Sequence, residues 1–470
     1  MKISRQWISL VSIWAWTSIG LPAWSLSFDW NGSYRFEFTE IDRPTLSGQG
    51  QKKSYFLNHL SLSPRIVAMD GVHIVSEIEV LPNSTYPDSQ LGAILGSGSK
   101  PNASTSSTLS SNQNSTQIGV SQLYLRFQNE YGSLLAGRAP MEFGLGITQN
   151  AGRGAFDHWN SSRDLVAYKF MIGNFSFMPI LGKVYDPGFT KGGDVTDFIW
   201  NVQYENPETE SAIGFFWQQR TSNDSSNDSN LSLGGTSSFG YSVASTNLYI
   251  SRGFELVKIR FEAGFNSGGA GLITSRGEDV KVTGYGMVLD LDFSSQSKWH
   301  WNFRSGLLSG DNPDTANFEG FALNRNYDLA FLLFNHPMGD HNALNSSAYR
   351  TRSSCSSPPC STLAIHQMAD EEVATNALFL APRLDYLWSE SWTLSNSLIW
   401  AQTQVRSATD ADRNLGLEWD LGLHYRHTKN LDWIQQLGVF LPGAAWKGSP
   451  SAPVEAQTNI GLRSALSLRF

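Results

Sequence analysis

Arginine, aspartate and glutamate recur at every second position of many segments in this sequence. In the segment that begins at Phe28, for example, Arg35 and Glu37 alternate with the aromatic Phe36 and Phe38. Guanidinium and carboxylate groups that share one face can set the charge selectivity of a water-filled pore. The residues predicted to line such a pore are Arg35, Glu37, Arg65, Glu77, Arg126, Arg260, Asp290, Asp292, Arg304, Arg383, Glu418, Asp420, Arg426 and Arg463.

The charged faces have two interpretations. An arginine ladder along one wall could guide an anionic solute through the pore. Alternatively, acidic and basic groups could neutralise one another as ion pairs that only keep the wall wet. Because the two signs are nearly balanced on these faces, the pattern favours ion pairs.

A glycine-rich connection between residues 139 and 163 forms a second group of candidates. If this connection bends into the pore, it makes a constriction that carries both signs of charge; if it bends outward, it is an ordinary surface loop. The sequence leaves both arrangements open. The residues predicted for the constriction are Arg138, Glu142, Arg153, Asp157 and Arg163.

Other chemistry is less well supported. Cys355 and Cys360 are close in sequence, and in an exported chain they predict a local disulfide. The pair Asp157-His158 could supply an acid and a base for catalysis, but proximity in sequence is not geometry. The sequence therefore predicts no enzyme, and we expect neither a bound metal nor a cofactor.

The elements that must position these charges are β-strands, because alternation with a period of two is the strand signature. The chain has 470 residues, of which 12% are aromatic, 16% charged and 40% hydrophobic. The aromatic content argues against disorder, and two cysteines are too few for a disulfide scaffold. No apolar run beyond the N-terminus reaches the ~20 residues of a spanning helix. Alternating charged and aromatic faces, strand after strand, predict a transmembrane antiparallel up-and-down β-barrel, all-β in class.

The N-terminus predicts export. Lys2 and Arg5 precede an apolar stretch, and the small residues Ala23 and Ser25 supply a cleavage site before Leu26. Residues 1–25 are therefore predicted to be a signal peptide, and residues 26–470 a single barrel domain. A formal net charge of −8 on an exported chain excludes a nucleic-acid binder.

Turn residues and longer connections alternate along the chain. Short turns such as Asp70-Gly71 predict periplasmic hairpins, and long connections rich in Ser, Asn and Gly predict extracellular loops. The pattern indicates roughly eighteen strands, within a range of about 16–20. An apolar run from Tyr327 to Phe334 either plugs the lumen or extends the wall, and wall extension is favoured. The long connections are predicted at about 83–116, 139–163, 221–238, 266–278 and 309–375.

The last strand carries a resemblance to a known class. Ile460, Leu462, Leu466 and Leu468 alternate with polar or small residues, and the sequence ends at Phe470. This resembles the carboxy-terminal signal by which the assembly machinery recognises Gram-negative outer-membrane barrels. The strand tally is similar to that of the eighteen-strand substrate-specific porins and the alginate-export family.

The resemblance implies a porin-like channel of the outer membrane for passive diffusion of small polar or ionic solutes. The alternatives are a substrate-selective or polysaccharide-export pore and, third, a plugged structural or adhesive barrel. The implied partners are outer-membrane lipid with lipopolysaccharide, the barrel-assembly machinery and small polar or anionic solutes. The chain is expected to be a monomer or a homotrimer.

Overall fold

The computed structural model describes residues 27–48, 52–80, 88–90, 93–94, 118–185, 195–222, 236–237, 240–273, 277–293, 298–312, 314–339, 343–344 and 373–470. The predicted signal peptide 1–25 and the cysteines Cys355 and Cys360 lie outside these residues, so leader cleavage and the disulfide stay predictions. Among the described residues, no helix is long and apolar enough to cross a membrane.

Eighteen strands of the described chain form one closed sheet. They are β1 (Ser27–Ile41), β2 (Lys53–Met69), β3 (Val72–Val80), β4 (Ile118–Asn129), β5 (Gly132–Pro140), β6 (Trp159–Ile172), β7 (Phe175–Tyr185), β8 (Val195–Asn206), β9 (Ser211–Ser222), β10 (Ser242–Gly253), β11 (Val257–Ile273), β12 (Asp279–Phe293), β13 (Trp299–Leu308), β14 (Ala377–Leu387), β15 (Trp392–Thr403), β16 (Asn414–Thr428), β17 (Leu431–Pro442) and β18 (Asn459–Arg469). Shorter extended pieces are Asp88–Gln90, Ala93–Ile94, Thr236–Ser237, Gly448–Ser449 and Ala452–Pro453, and short 3₁₀ helices are Pro207–Thr209 and Ala444–Lys447.

Each of these strands pairs antiparallel with the next, and β18 pairs with β1 to close the ring. The closing register places Tyr34 opposite Leu468 and Ile41 opposite Gly461. Gly32 and Phe470 exchange backbone hydrogen bonds of 2.8 and 3.0 Å at the end of this seam. Closure leaves none of these eighteen described strands at an open edge, which a bilayer requires because lipid offers no hydrogen-bond partners. The predicted antiparallel barrel of about eighteen strands is confirmed.

Tight turns join the strands at one end of the barrel. Gly71 and Gly173 have φ angles of 75° and 56°, a region that glycine enters without steric cost. The predicted long connection at 266–278 is wrong, because β11 extends to Ile273 and β12 begins at Asp279. Gly268 and Gly269 of this segment pair with both neighbouring strands. The predicted connections 83–116 and 221–238 lie largely outside the described residues.

The two faces of the wall differ as the alternation predicts. Trp30 and Trp301 are 62% and 51% exposed on the outside, whereas Val288 is completely buried on the inside. The main apolar core lies inside the ring, and part of it comes from the long connection between β13 and β14. Its members include Phe321, Leu323, Ala330, Phe331, Leu332, Leu333, Phe334, Phe379 and Phe440.

The favoured extension of the wall by Tyr327–Phe334 is therefore wrong. This run forms no strand, and it packs against the inner wall. The inner wall carries glycines where the run packs against it, and these leave room for its side chains. A Cβ on Gly438 would lie 2.8 Å from Phe331, and one on Gly461 would lie 2.6 Å from Leu332. Burial inside the ring shields the apolar run from water as well as a taller wall would.

Candidate pore and constriction

The connection 141–158, between β5 and β6, crosses the inside of the ring. Near its start, the ring of Phe143 lies 5.4 Å from that of Phe216 on β9. The backbone N–H of Leu145 donates to Glu262 of β11 over 2.5 Å. Near its end, Arg35 of β1 donates to the carbonyl oxygen of Asp157. Contacts with opposite parts of the wall place this connection in the lumen, as one of the two predicted arrangements requires.

The far end of connection 141–158 is held by buried charges. His158 Nε2 lies 2.9 Å from Glu37 Oε1, and Arg463 Nη2 lies 2.6 Å from Glu37 Oε2. His158 is thus bound to the wall of the pore through Glu37. The carboxylate of Asp157 accepts a 2.7 Å hydrogen bond from the N–H of Gly154. Burial raises the pKa of Asp157, and this hydrogen bond opposes the rise.

The segment 321–339, from the connection between β13 and β14, also enters the lumen. Its backbone is held by carboxylates of β16. The N–H of Phe331 donates to Asp420 over 3.0 Å, and the N–H groups of Leu332 and Leu333 donate to the two oxygens of Glu418, each over 2.6 Å. These carboxylates are anchors for a polypeptide segment.

The two inward segments touch each other. The N–H of Asn324 donates to the carbonyl oxygen of Ile147 over 2.7 Å. Asn326 exchanges hydrogen bonds of 2.9 and 2.7 Å with the backbone of Trp159, at the start of β6. Segment 321–339 and connection 141–158 therefore narrow the same part of the lumen.

Four carboxylates of the inner wall each contact two arginines. We call these groups the arginine triads, and in each of them basic groups outnumber acidic ones. Such a geometry combines ion pairing with an excess of positive charge, except at Asp290, where Arg260 also lies 3.8 Å from Asp292 and the two signs are balanced. The triads are Glu37 with Arg35 (2.5 Å) and Arg463 (2.6 Å), Asp197 with Arg220 (2.8 Å) and Arg163 (3.8 Å), Asp290 with Arg260 and Arg304 (both 3.1 Å), and Asp432 with Arg426 and Arg469 (both 3.0 Å).

Two cavities lie against the inner wall beside the inward segments. One has a volume of about 340 Å³ and is lined by strands β13 to β18, with Arg304, Arg383 and Arg463 among its polar groups. The other has a volume of about 570 Å³ and is lined mainly by β1 to β4 and by residues 151–155. Arg35, Glu77 and Glu79 face this second cavity. Both are large enough for a small solute.

The remaining predicted pore-lining residues form smaller contacts. Three of these contacts join neighbouring strands and two lie within one strand, and together they are spread around the ring. The contacts are Arg65 with Asp29 (2.5 Å), Arg126 with Gln128 (3.2 Å), Glu77 with Gln122, Asp292 with His300 (2.6 Å) and Arg383 with Asp385 (2.9 Å).

The predicted constriction residues do not stay together. Glu142 and Arg153 lie 3.9 Å apart on connection 141–158, and Asp157 lies on the same connection. Arg163 is on the inner face of β6, in the triad with Asp197. The assignment of Arg138 is wrong: it lies on β5 opposite the outward Leu123, and it pairs with Asp164 over 2.9 Å. Strand parity turns its side chain away from the lumen.

Several lumen residues were missed by the selection from sequence. Glu262 accepts the hydrogen bond that anchors Leu145, and Asp197 and Asp432 are the carboxylates of two triads. Arg220 and Arg469 are members of the same two triads. Asp197 and Glu262 occupy polar positions of the same alternation that identified Arg35 and Glu37. The signal was present, but alternation alone does not say which polar positions meet across strands.

Comparison with known proteins supports the class of fold. No protein-family model and no curated protein matches this sequence. Solved structures do match, and among them are several outer-membrane barrels from Pseudomonas. OccK8 (OprE) from Pseudomonas aeruginosa has a TM-score of 0.53 at 11% identity, covering 94% of this chain and 98% of its own.

Two further structures match over similar lengths. A BenF-like porin from Pseudomonas fluorescens Pf-5 has a TM-score of 0.50 at 11% identity, covering 94% of this chain and 98% of its own. OccK2 (OpdF) from P. aeruginosa, solved in complex with glucuronate, has a TM-score of 0.50 at 10% identity, with the same coverages. At these identities the likeness shows the fold, which is the eighteen-strand barrel that the sequence resemblance implied.

Proposed function

We propose that this protein is a porin-like channel of the outer membrane, through which small polar or ionic solutes diffuse passively. The observation that carries the proposal is a closed ring with an apolar outside and a charged inside, narrowed by two anchored segments. A barrel of this strand number is wide enough for an aqueous lumen. The predicted pore-lining and constriction residues on the inner wall act in this proposal as its selectivity surface.

The proposed orientation follows from the strand connections. The tight turns face the periplasm, and the long connections that supply the inward segments lie on the extracellular side. Phe470 is proposed as the signal read by the assembly machinery. Its ring lies against Gly32, where an added Cβ would come within 2.5 Å of it. The contact of Phe470 with Gly32 is thus part of closing the barrel.

Anions are the proposed preferred solutes. The arginine triads place more guanidinium than carboxylate groups on the wall, and Arg304, Arg383 and Arg463 face one cavity of about 340 Å³. A matched relative was solved with glucuronate, a sugar carboxylate. We therefore propose small organic anions as one class of solute for this channel, alongside inorganic anions.

Recording from single channels in a planar bilayer tests this function. We expect discrete conductance steps and, in a salt gradient, a reversal potential that shows anion preference. The variant Arg304→Gln should reduce that preference, whereas Arg252→Gln, on an exposed arginine beside Phe254, should not. A correctly folded barrel without conductance steps would contradict the channel and favour a plugged structural barrel.

Two other functions are less well supported. A polysaccharide-export pore needs a continuous wide passage, but the buried residues Ala330–Phe334 occupy the lumen beside β16 to β18. Catalysis through the pair Asp157-His158 is disfavoured because His158 contacts Glu37 and Arg463. We therefore propose no enzymatic activity for the barrel.

A further inference from the structure

Four histidines inside the ring lie beside a carboxylate, and one of these four pairs is more open than the others. The three closed pairs are His158 with Glu37 (2.9 Å), His300 with Asp292 (2.6 Å) and His424 with Asp432 (2.8 Å). In the open pair, His59 Nε2 and Glu79 Oε2 lie 3.5 Å apart. His59 is only 6% exposed and Glu79 only 2%, yet within the described chain neither of these two atoms has a hydrogen-bond partner. Two buried polar atoms thus point toward each other without bonding.

The open pair also differs from the closed pairs in charge. The carboxylate of each closed pair lies within 4 Å of an arginine, whereas no arginine or lysine of the described residues forms an ion pair with Glu79. Glu77, two positions away on the same face of β3, is bonded to the neutral amide of Gln122. Glu77 and Glu79 therefore carry negative charge that the wall around them does not pair.

His59, Glu77 and Glu79 all face the cavity of about 570 Å³ beside residues 151–155. Three arginines line the same cavity, but each of them has a carboxylate of its own. These pairs are Arg35 with Glu37 (2.5 Å), Arg153 with Glu142 (3.9 Å) and Arg469 with Asp432 (3.0 Å). The cavity therefore offers both space and unpaired negative charge to a cation.

The distance within the open pair fits a metal ion. Two ligands that bind at about 2.0–2.2 Å in a tetrahedral site lie about 3.3–3.6 Å apart. Zn²⁺ accepts a neutral imidazole together with a carboxylate, whereas Mg²⁺ prefers a shell of oxygen atoms. The described residues contain no group of three His, Cys, Asp or Glu side chains that could hold a metal. An ion at the open pair would therefore have two protein ligands and keep water at its remaining positions.

We propose that His59 and Glu79 bind a divalent transition-metal ion, for which Zn²⁺ is the probe. His59 Nε2 and one oxygen of Glu79 are the ligands, and Glu77 adds negative charge at longer range. No metal was expected from the sequence, because His59 and Glu79 lie on different strands and share no spacing motif. A bound dication changes the charge of the second cavity, so the site makes the lumen responsive to metal. It requires only the folded barrel, whether or not solutes pass through.

Calorimetric titration of the detergent-purified, full-length barrel without an affinity tag tests the site. The probes are ZnCl₂ and, for a hard dication, MgCl₂. We expect the native barrel to bind Zn²⁺ at least about tenfold more tightly than Mg²⁺. His59→Gln and Glu79→Gln should each weaken Zn²⁺ binding by at least about tenfold. His300→Gln is the matched control, because it removes a histidine from a closed pair, and it should leave the affinity for Zn²⁺ unchanged.

Equal affinity of the native barrel for the two ions would overturn the site, as would a folded His59→Gln or Glu79→Gln variant that binds Zn²⁺ like the native barrel. Migration on a gel with and without heating reports folding. If neither variant folds, the X-ray absorption spectrum of the zinc-loaded native barrel decides. One imidazole with oxygen neighbours is expected, and sulfur or several imidazoles around the zinc would overturn the site. Conductance is not read in these assays, so failure of the channel and failure of the metal site are distinguishable.

Discussion

The two inward segments are held in the lumen by different means. Connection 141–158 is polar at its far end and is bound there by side-chain ion pairs around Glu37, with the N–H of Leu145 on Glu262 as a second anchor. Segment 321–339 is apolar and is bound by its own backbone N–H groups, which donate to Glu418 and Asp420. This difference shows that a carboxylate on the wall of a pore does not always face a solute, because it can instead hold a loop in the lumen.

The largest effect is expected when the backbone anchor is removed. In the double variant Glu418→Ala/Asp420→Ala, three buried N–H groups lose their carboxyl acceptors, and each N–H left without a partner costs about 1–3 kcal/mol. Segment 321–339 should leave the wall, and single-channel conductance should rise several-fold. Ser397→Ala, at the same cavity, is the control and should leave conductance unchanged. An unchanged conductance in the double variant would show that apolar packing alone holds the segment.

A steric change should separate packing from anchoring. In Gly438→Ala, the new Cβ would lie 2.8 Å from Phe331, so the segment must shift at a cost of about 1–3 kcal/mol. The midpoint of thermal unfolding should fall. The matched variant is Gly422→Ala, where the nearest side-chain atom is Ser395 Cβ at 3.3 Å, and its effect should be smaller. Equal midpoints for the two variants would argue against tight packing of Phe331.

Connection 141–158 should respond more weakly to the loss of one anchor, because ion pairs hold its other end. Glu262→Gln keeps an acceptor for the N–H of Leu145 but replaces the carboxyl by an amide, which costs about 1 kcal/mol. We expect noisier open-channel current at a nearly constant mean conductance. Gln218→Glu, near Gln149 on the same connection, controls for a change of charge. A large rise in mean conductance would make Glu262 the main anchor.

The smallest effect is expected from a triad arginine. In Arg260→Gln, Asp290 keeps Arg304 and Asp292 keeps His300, so the fold should be unaffected while one positive charge is lost from the wall. A unit charge a few ångströms from a solute in water is worth about 1 kcal/mol, so the anion-to-cation permeability ratio should fall by about fivefold at most. An unchanged reversal potential would mean that the triads do not act on solutes.

Much of the fold could be predicted because apolar residues that face lipid alternate with polar residues that face the lumen along each strand of a barrel. The error at Tyr327–Phe334 has a physical cause: an apolar run predicts burial, but it does not say whether a taller wall or the inside of the ring provides it. The run packs against Gly438 and Gly461, which are more than a hundred positions away in sequence, so no local pattern shows this contact.

The error at Arg138 has a different cause. β5 shows no clear alternation, because Leu134 and Leu135 are both apolar. Leu135 packs with the apolar cluster around Phe143 inside the ring, so the inner face is also apolar here. Where an inward connection covers the wall, strand parity is lost from the sequence. The candidate site was therefore predicted as a set of residue types, but the triads and anchors depend on register.

The seam between β1 and β18 sets the order in which the molecule can form. Tyr34 meets Leu468, and the backbone of Gly32 meets that of Phe470, so the closing contacts join the two ends of the barrel chain. Contacts between residues so far apart in sequence are the slowest to form, since the entropy of closing the loop must be overcome first. The ring therefore closes only after β18 has been synthesised, and until then both end strands present open edges that need protection from pairing with other chains.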